Sequence, residues 1–531
     1  MNTLTGTGRL IRLILRRDRW LLPLWLLLAL FPVTAVSSLD GLYPTAAELR
    51  GFAADMESNS ALMVLYGRLY GSSLGELATW RSGAIPVFFA LATVLFVIRH
   101  TRVEEESGRR ELVSAAVIGR HAALMAVLVV TFLVGLVAMV IVAVTVSGQG
   151  LSAGGAWAQG AQWVVVGIVF GAVGGVAAQL TTSAMSARGI ALAVVGAAFA
   201  LRGVGDVSGQ QGGGLSWVSW LSPFGWANQI RPFAGDRWWV LVPAVAFTAV
   251  LVAAAVALSG RRDLGAGLLP DRPGPAAAAP ALRSPLGLAW RLQRNAQISW
   301  LVGFALAGFL YGGLAKTVEE GLADNPSPGL EKALAQLGGT GGLVDAWLGS
   351  MMSLMGIVAA AYAIQGVLRL RSEESGLRAE SVLATGAGRL QWAASHLIFA
   401  VLGPVVMLLT GALTAGLAGG DVGEQVPRLL GAAAVQLPAV WVLVAIGVAL
   451  FGHFPRYASA GWGALGLFVV LGQVGALLEL SQWLLDVSPF THIPKLPGGA
   501  ISVTPLVTLV VIAIALAGVG LAGLRRRDIP A

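Results

Sequence analysis

The chain has 531 residues, 56% of them hydrophobic and only 12% charged, with a mean hydropathy of +0.77. A water-soluble domain carries about 25% charged residues, so this composition excludes one and calls for a bilayer. The net charge of +8 follows from arginine-rich loops and needs no nucleic-acid partner, and the absence of cysteine excludes disulfides and thiol chemistry.

In chain order, Arg9, Arg12, Arg16 and Arg19 come first, three or four residues apart, with Leu10, Leu13 and Ile14 between them. This is the stripe of a helix lying along the inner membrane face. A weaker version surrounds Trp290, Arg291 and Arg294. Runs of about 20 apolar residues then predict helices that cross a hydrocarbon core of roughly 30 Å; a barrel would show alternating ten-residue segments instead. Spans are expected near 20–38, 82–98, 121–146, 156–178, 188–204 and 237–259, then near 299–315, 347–368, 392–418, 428–451, 460–480 and 502–523.

The expected fold is therefore an all-α polytopic membrane protein, with about 12 transmembrane helices in two six-helix repeats. An even number of spans returns each half to its starting side, so the copies are parallel rather than inverted. The first half is 1–263 and the second 286–531, joined by a Pro/Ala/Gly-rich cytoplasmic linker at 264–285. Most Lys and Arg fall in loops on the side of the N-terminus, which places both termini in the cytoplasm.

The duplication is written into the loops. Glu105-Glu106-Ser107-Gly108 returns as Glu373-Glu374-Ser375-Gly376, 268 residues later. Arg109 or Arg110, Glu111, Gly119 and Arg120 have counterparts in Arg378, Glu380, Gly388 and Arg389, after a one-residue slip. Arg261-Arg262-Asp263 returns as Arg526-Arg527-Asp528, and Trp217 with Ser222-Pro223-Phe224 returns as Trp483 with Ser488-Pro489-Phe490. Each acidic segment follows the second span of its half. The order of acidic run, Gly, basic residues and a short apolar stretch ending at Gly119-Arg120 predicts a surface helix with a glycine stop, a lever onto the spans it joins. The segment carrying Glu104, Glu105, Glu106, Gly108, Arg109, Arg110, Glu111 and Arg120, and its copy carrying Glu373, Glu374, Gly376, Arg378, Glu380 and Arg389, are read as docking sites for one kind of partner. Reversing charge at Glu105-Glu106 and Glu373-Glu374 is expected to uncouple that partner and leave the protein folded. The Ser-Pro-Phe segments, Trp217, Ser222, Pro223, Phe224 and Trp483, Ser488, Pro489, Phe490, predict short proline-started helices on the outer side.

Other chemistry is missing from the sequence. No G-x-x-x-x-G-K-[ST] occurs to cradle nucleotide phosphates. The histidines His100, His121, His396, His453 and His492 are scattered without metal-ligand spacing. Ion-driven carriers need a carboxylate in mid-membrane; Glu479 and Asp345 read as boundary residues. Gly167, Gly171 and Gly175 recur every four residues and read as helix packing.

The paired acidic segments with their following Arg and Glu, and the paired Ser-Pro-Phe motifs, resemble the permease subunit of an ABC-2-type exporter. The likeness is to the fused twelve-span kind, similar to actinobacterial polyketide-antibiotic and multidrug exporters, and covers essentially the whole chain. It departs in the second half, where Leu377 and Ala379 interrupt the charge run, so the two coupling sites are expected to be unequal. The resemblance implies a multi-pass subunit of a bacterial inner or plasma membrane, not itself an enzyme and without a cofactor of its own. ATP and Mg²⁺ would be bound by two copies of a separate ABC ATPase acting on the acidic segments, with the Ser-Pro-Phe segments as extracellular gate. The cargo would be a lipophilic or amphiphilic drug, antibiotic or lipid-like molecule; membrane lipid is the other partner. The alternative is an ion-gradient-driven carrier or flippase working without an ATPase.

Overall fold

The computed structural model describes residues 3–57, 60–114, 117–210, 212–263, 265–269, 274–324, 343–420, 422–473 and 481–527. Among the described residues every regular element is helical. The chain divides into two compact units, Met1–Gly274 and Pro275–Ala531.

Among the described residues, eleven helices are long and apolar enough to cross a membrane. In the first unit they are Leu21–Leu42, Ile85–Glu106, Ala122–Ser147, Ala153–Leu180, Ala184–Gln210 and Trp238–Gly260. In the second they are Pro285–Gly313, Trp347–Ser375, Arg389–Ala418, Val422–His453 and Val503–Arg526. Spans one to six and seven to ten below are numbered in this order. The eleventh expected span is represented by the helix Ala460–Gln473, with residues 474–480 and the boundary residue Glu479 outside the described residues; Val503–Arg526 is the twelfth span. The chain is an all-α polytopic membrane protein of about twelve helices. Spans six and twelve expose Val242, Val250 and Ile514 by 69%, 65% and 68%, an apolar surface that only lipid covers without cost.

The fourth span is the centre of the first unit, packed against spans two, three, five and six. Glycine makes that closeness possible: a Cβ on Gly160 would stand 2.6 Å from the Met139 carbonyl oxygen of span three. Trp25, Phe89 and Trp163 link spans one, two and four through a tilted and an edge-to-face contact, with ring centroids 5.1 and 5.2 Å apart. In the second unit spans seven and nine pack as closely, and a Cβ on Gly312 would lie 2.0 Å from the Ala415 oxygen.

Three expectations change. The second span does not stop at 98 but runs to Glu106, through a π-helical turn at Arg99–Val103. Its charged residues stay helical because they are paired inside the unit, which hydropathy does not register. The expected surface helix over 103–120 is broken instead at Ser107-Gly108, where Gly108 adopts φ +68°, and resumes as the short helix Arg109–Ser114. The membrane-surface helix of the first unit is a separate element, Thr7–Arg17. Its counterpart around Trp290 is the start of one continuous helix, Pro285–Asp324.

Candidate functional site

The acidic segment of the first unit begins where the second span leaves the apolar core. Glu105 points inward and its side chain is 1% exposed. Three arginines hold it. Arg102, one turn earlier and fully buried, reaches Oε2 at 2.5 Å. Arg262, just past the sixth span, takes both oxygens at 2.9 Å each, and Arg110 reaches Oε1 from beyond the break. A buried charge is tolerated only when it is paired, and both Glu105 oxygens are. Arg102 also donates to the Thr181 and Ala266 carbonyls, and Arg262 to Gln179 Oε1 at 2.8 Å. Glu105 thus ties the end of the second span to the ends of the fourth and sixth. Burial, with Arg262 and Arg102 alongside, pushes Arg110 down to about 10, which still leaves it charged at neutral pH.

The neighbouring carboxylates are used as fully. Glu106 Oε1 accepts the Ala184 backbone N–H at 2.5 Å, capping the fifth span at its first turn. Glu104 pairs with Arg17 of the surface helix at 2.5 Å and with Arg109 at 3.6 Å. At the far end of the segment Arg120 donates to the Arg262 carbonyl at 2.9 Å and the Ser259 carbonyl at 3.2 Å, satisfying carbonyls left open at the end of the sixth span. His121, beside Arg120, has its pKa lowered, first by burial and then by Arg120 and Arg110. The surface helix is pinned from below by Asp18, which meets His100 Nε2 and accepts Arg99 at 3.0 Å.

The second unit repeats this plan with fewer parts. Arg527, after the last span, takes both oxygens of Glu374 at 2.6 Å and lies 4.7 Å over the Phe451 ring. Arg389 donates to the Arg527 carbonyl at 2.8 Å, as Arg120 does to Arg262. Glu373 pairs with Arg369 and Arg378, each at 2.9 Å. These pairs correct the register of the repeat. Glu374, not Glu373, does the work of Glu105, and Leu377, with φ +56°, takes the place of Gly108. Across the acidic segment, from Glu105 and Glu374 to Arg120 and Arg389, the offset is 269 residues with no slip, and the matching E-E-S-G letters lie one residue out of step.

The structure therefore turns Glu105, Glu373 and Glu374 into their units, where each is paired with arginine. What remains exposed includes Glu106, Ser107, Arg109, Glu111 and Arg120 in the first unit, and Ser375, Gly376, Leu377, Arg378, Glu380 and Arg389 in the second. Sequence reasoning missed Arg102, Asp18 and the role of Arg262 and Arg527. The repeated Arg-Arg-Asp after each sixth span was the available signal for the last two.

The Ser-Pro-Phe segments also share a plan. Ser222 is fully buried, caps the helix Pro223–Gln229 by accepting the Phe224 N–H at 3.1 Å, and donates at 2.6 Å to the Ala198 carbonyl of the fifth span. Ser488, equally buried, donates at 3.2 Å to Phe468 of Ala460–Gln473, and Pro489–His492 is a single 3₁₀ turn. Each serine staples its segment to the preceding helix. Phe224 packs within 4.8 Å of Phe170, whereas Trp217 and Trp483 are exposed by 57% and 70%.

Two comparisons bear on this arrangement. The sequence model of the family described as "Multidrug efflux system permease Rv1217c, C-terminal domain" matches residues 13–258 and 282–525, one segment in each unit. The chain is also 43% identical over 531 residues to "Multidrug efflux system permease protein Rv1217c" of Mycobacterium tuberculosis (strain ATCC 25618 / H37Rv), covering 99% of this chain and 95% of that one.

Proposed function

Because the chain belongs to the family of the multidrug efflux system permease Rv1217c, we propose that it is the membrane subunit of an ATP-driven exporter of lipophilic or amphiphilic compounds. Both termini and both acidic segments would face the cytoplasm, where two copies of a separate ABC ATPase would dock, one on each segment. The observation that carries this reading is the bracket built twice: Glu105 with Arg262, and Glu374 with Arg527.

In the first unit the bracket fastens the exposed elbow of Ser107, Arg109 and Glu111 to the ends of four spans and to the surface helix. A push on that elbow would move those helices as one body, because paired buried charges hold discrete geometries rather than yielding gradually. In the second unit the exposed elbow is Leu377, Arg378 and Glu380, fastened chiefly through Arg527 to the last span. The ATPase would grip the exposed residues while the buried carboxylates pass the force inward. Cargo selection would belong to apolar groups of the spans, and the serine-stapled segments to release on the outer side.

The test is to co-express the chain with the ATPase encoded beside it, isolate the complex through this chain, and assay ATP hydrolysis and drug efflux in proteoliposomes. Two ATPase copies per chain, with hydrolysis stimulated by lipophilic drugs, is the expected result. Transport that needs an ion gradient and persists without ATP would overturn it.

A further inference from the structure

The fifth span carries two charges that its hydropathy conceals, Arg202 and Asp206, 1% and 3% exposed. They lie toward the end of the helix opposite the Glu105 bracket. The Nη2 of Arg202 donates to the Val64 carbonyl and its guanidinium lies 4.6 Å over Phe199, but Nε and Nη1 are buried with no protein partner. Asp206 accepts Ser219 at 3.0 Å through Oδ1. Next to them is a cavity of about 20 Å³ lined in part by Arg68, Tyr70, Asn228 and Arg231. Two of its lining groups are likewise buried: Asn228 Nδ2 has no protein partner, and the Tyr70 hydroxyl, which faces the Arg231 guanidinium, has its proton left to donate. Gly67 shows how closely these donors converge. A Cβ there would stand 2.2 Å from Asn228 Nδ2 and 2.9 Å from Arg202 Nη1, so both approach the same point from different helices.

Charge and hydrogen-bond capacity lean the same way. Two cations, Arg68 and Arg231, line the cavity against one carboxylate, Glu76, and the buried Arg202 and Asp206 add one charge of each sign nearby. Glu76 is already engaged, accepting the Ser73 N–H at 2.8 Å in a capping box. The donors left without an acceptor are Arg202 Nε and Nη1, Asn228 Nδ2 and the Tyr70 hydroxyl proton, against the single open acceptor Asp206 Oδ2. Burial, with Asp206 nearby, pushes the Tyr70 phenol up to about 12, so it keeps its proton to donate. An excess of one positive charge and of several donors at low dielectric is stabilised by an acceptor that carries one negative charge and no proton. The cavity has room for little more than one water-sized sphere, too small for a phosphate or a carboxylate.

We propose that the first unit binds one chloride ion where Asn228, Tyr70 and Arg202 converge. The site belongs to the first unit alone among the described residues, since the corresponding helix Ala460–Gln473 carries no charged side chain. Chloride there would lock the segment around Gly67 and the helix Pro223–Gln229 onto the fifth span.

The test uses the full chain in lipid nanodiscs, with thermal unfolding followed as sodium chloride or bromide replaces sodium gluconate at constant ionic strength. A saturable rise in Tm of roughly 2–5 °C is expected with either halide. Asn228→Asp supplies its own carboxylate, and is expected to lose the halide increment while melting no lower in gluconate. If that variant does not fold, Tyr70→Phe removes one donor and is expected to raise the half-saturating chloride concentration by roughly tenfold or more. Bromide-soaked crystals are expected to show an anomalous peak between Asn228 and Tyr70. No halide-specific rise, an increment unchanged in both variants, or density for water without a bromide signal would each overturn the proposal.

Discussion

Glu105 and Glu374 stand at the same place in their two units and are held to different degrees. Glu105 is gripped by three arginines, one of them wholly buried, and its neighbours tie in the surface helix and the start of the fifth span. Glu374 has the bidentate Arg527. Where the first unit places Arg110 against Glu105, the second has Ala379, itself buried and unable to pair. The plan common to both is the link from the acidic segment to the arginine after the last span. The first unit adds to this plan by placing more cations around one carboxylate.

The largest expected effect breaks this contrast at its centre. Glu105→Gln removes the counter-charge of Arg102 and Arg262 and leaves them buried; breaking such a pair costs about 3–5 kcal/mol. Glu374→Gln strands only Arg527, which is 16% exposed and stacked on Phe451, so its cost is expected nearer 2 kcal/mol. Thermal unfolding of the two purified variants in detergent checks this. Equal losses would mean that the extra arginines add nothing.

A smaller effect sharpens the register. Gly108 and Leu377 both hold a left-handed conformation, at φ +68° and +56°, which costs a residue with a Cβ roughly 1–2 kcal/mol. Leu377→Gly is expected to stabilise the protein by about 1 kcal/mol and Gly108→Ala to destabilise it by about as much. No atom lies within 4 Å of a Cβ at Gly108, so that change is conformational alone. A neutral Leu377→Gly would place the two residues at different points of the repeat.

These elements also show what the sequence made legible. Spans were visible because a bilayer demands long apolar runs, and the repeat because its loops kept their charges. The register was not, since matching letters at Glu105 and Glu373 outweighed a conformation that only the backbone records. The fifth span seemed to end at 204, short of Asp206, and the second at 98, because a charged residue paired by tertiary contact reads in hydropathy like one in a loop. Arg262 lies 157 residues from Glu105, a distance over which no local pattern operates.

The smallest expected change in stability carries the most about function. Arg109 and Arg378 have side chains 58% and 54% exposed and close partly solvated pairs with Glu104 and Glu373, Arg378 donating also to Ser372. Such surface pairs contribute about 0–1 kcal/mol, so Arg109→Ala and Arg378→Ala are expected to fold and melt almost as the parent does. In the proposed complex they lie where the ATPase would dock, so each variant is expected to lose drug-stimulated ATP hydrolysis and efflux in proteoliposomes while retaining the purified fold. If the stiffer bracket of the first unit transmits more of the stroke, Arg109→Ala will reduce efflux more than Arg378→Ala. Equal losses would show that force enters both units alike and that the added arginines serve stability alone, whereas unchanged efflux in both would remove these elbows from the docking surface.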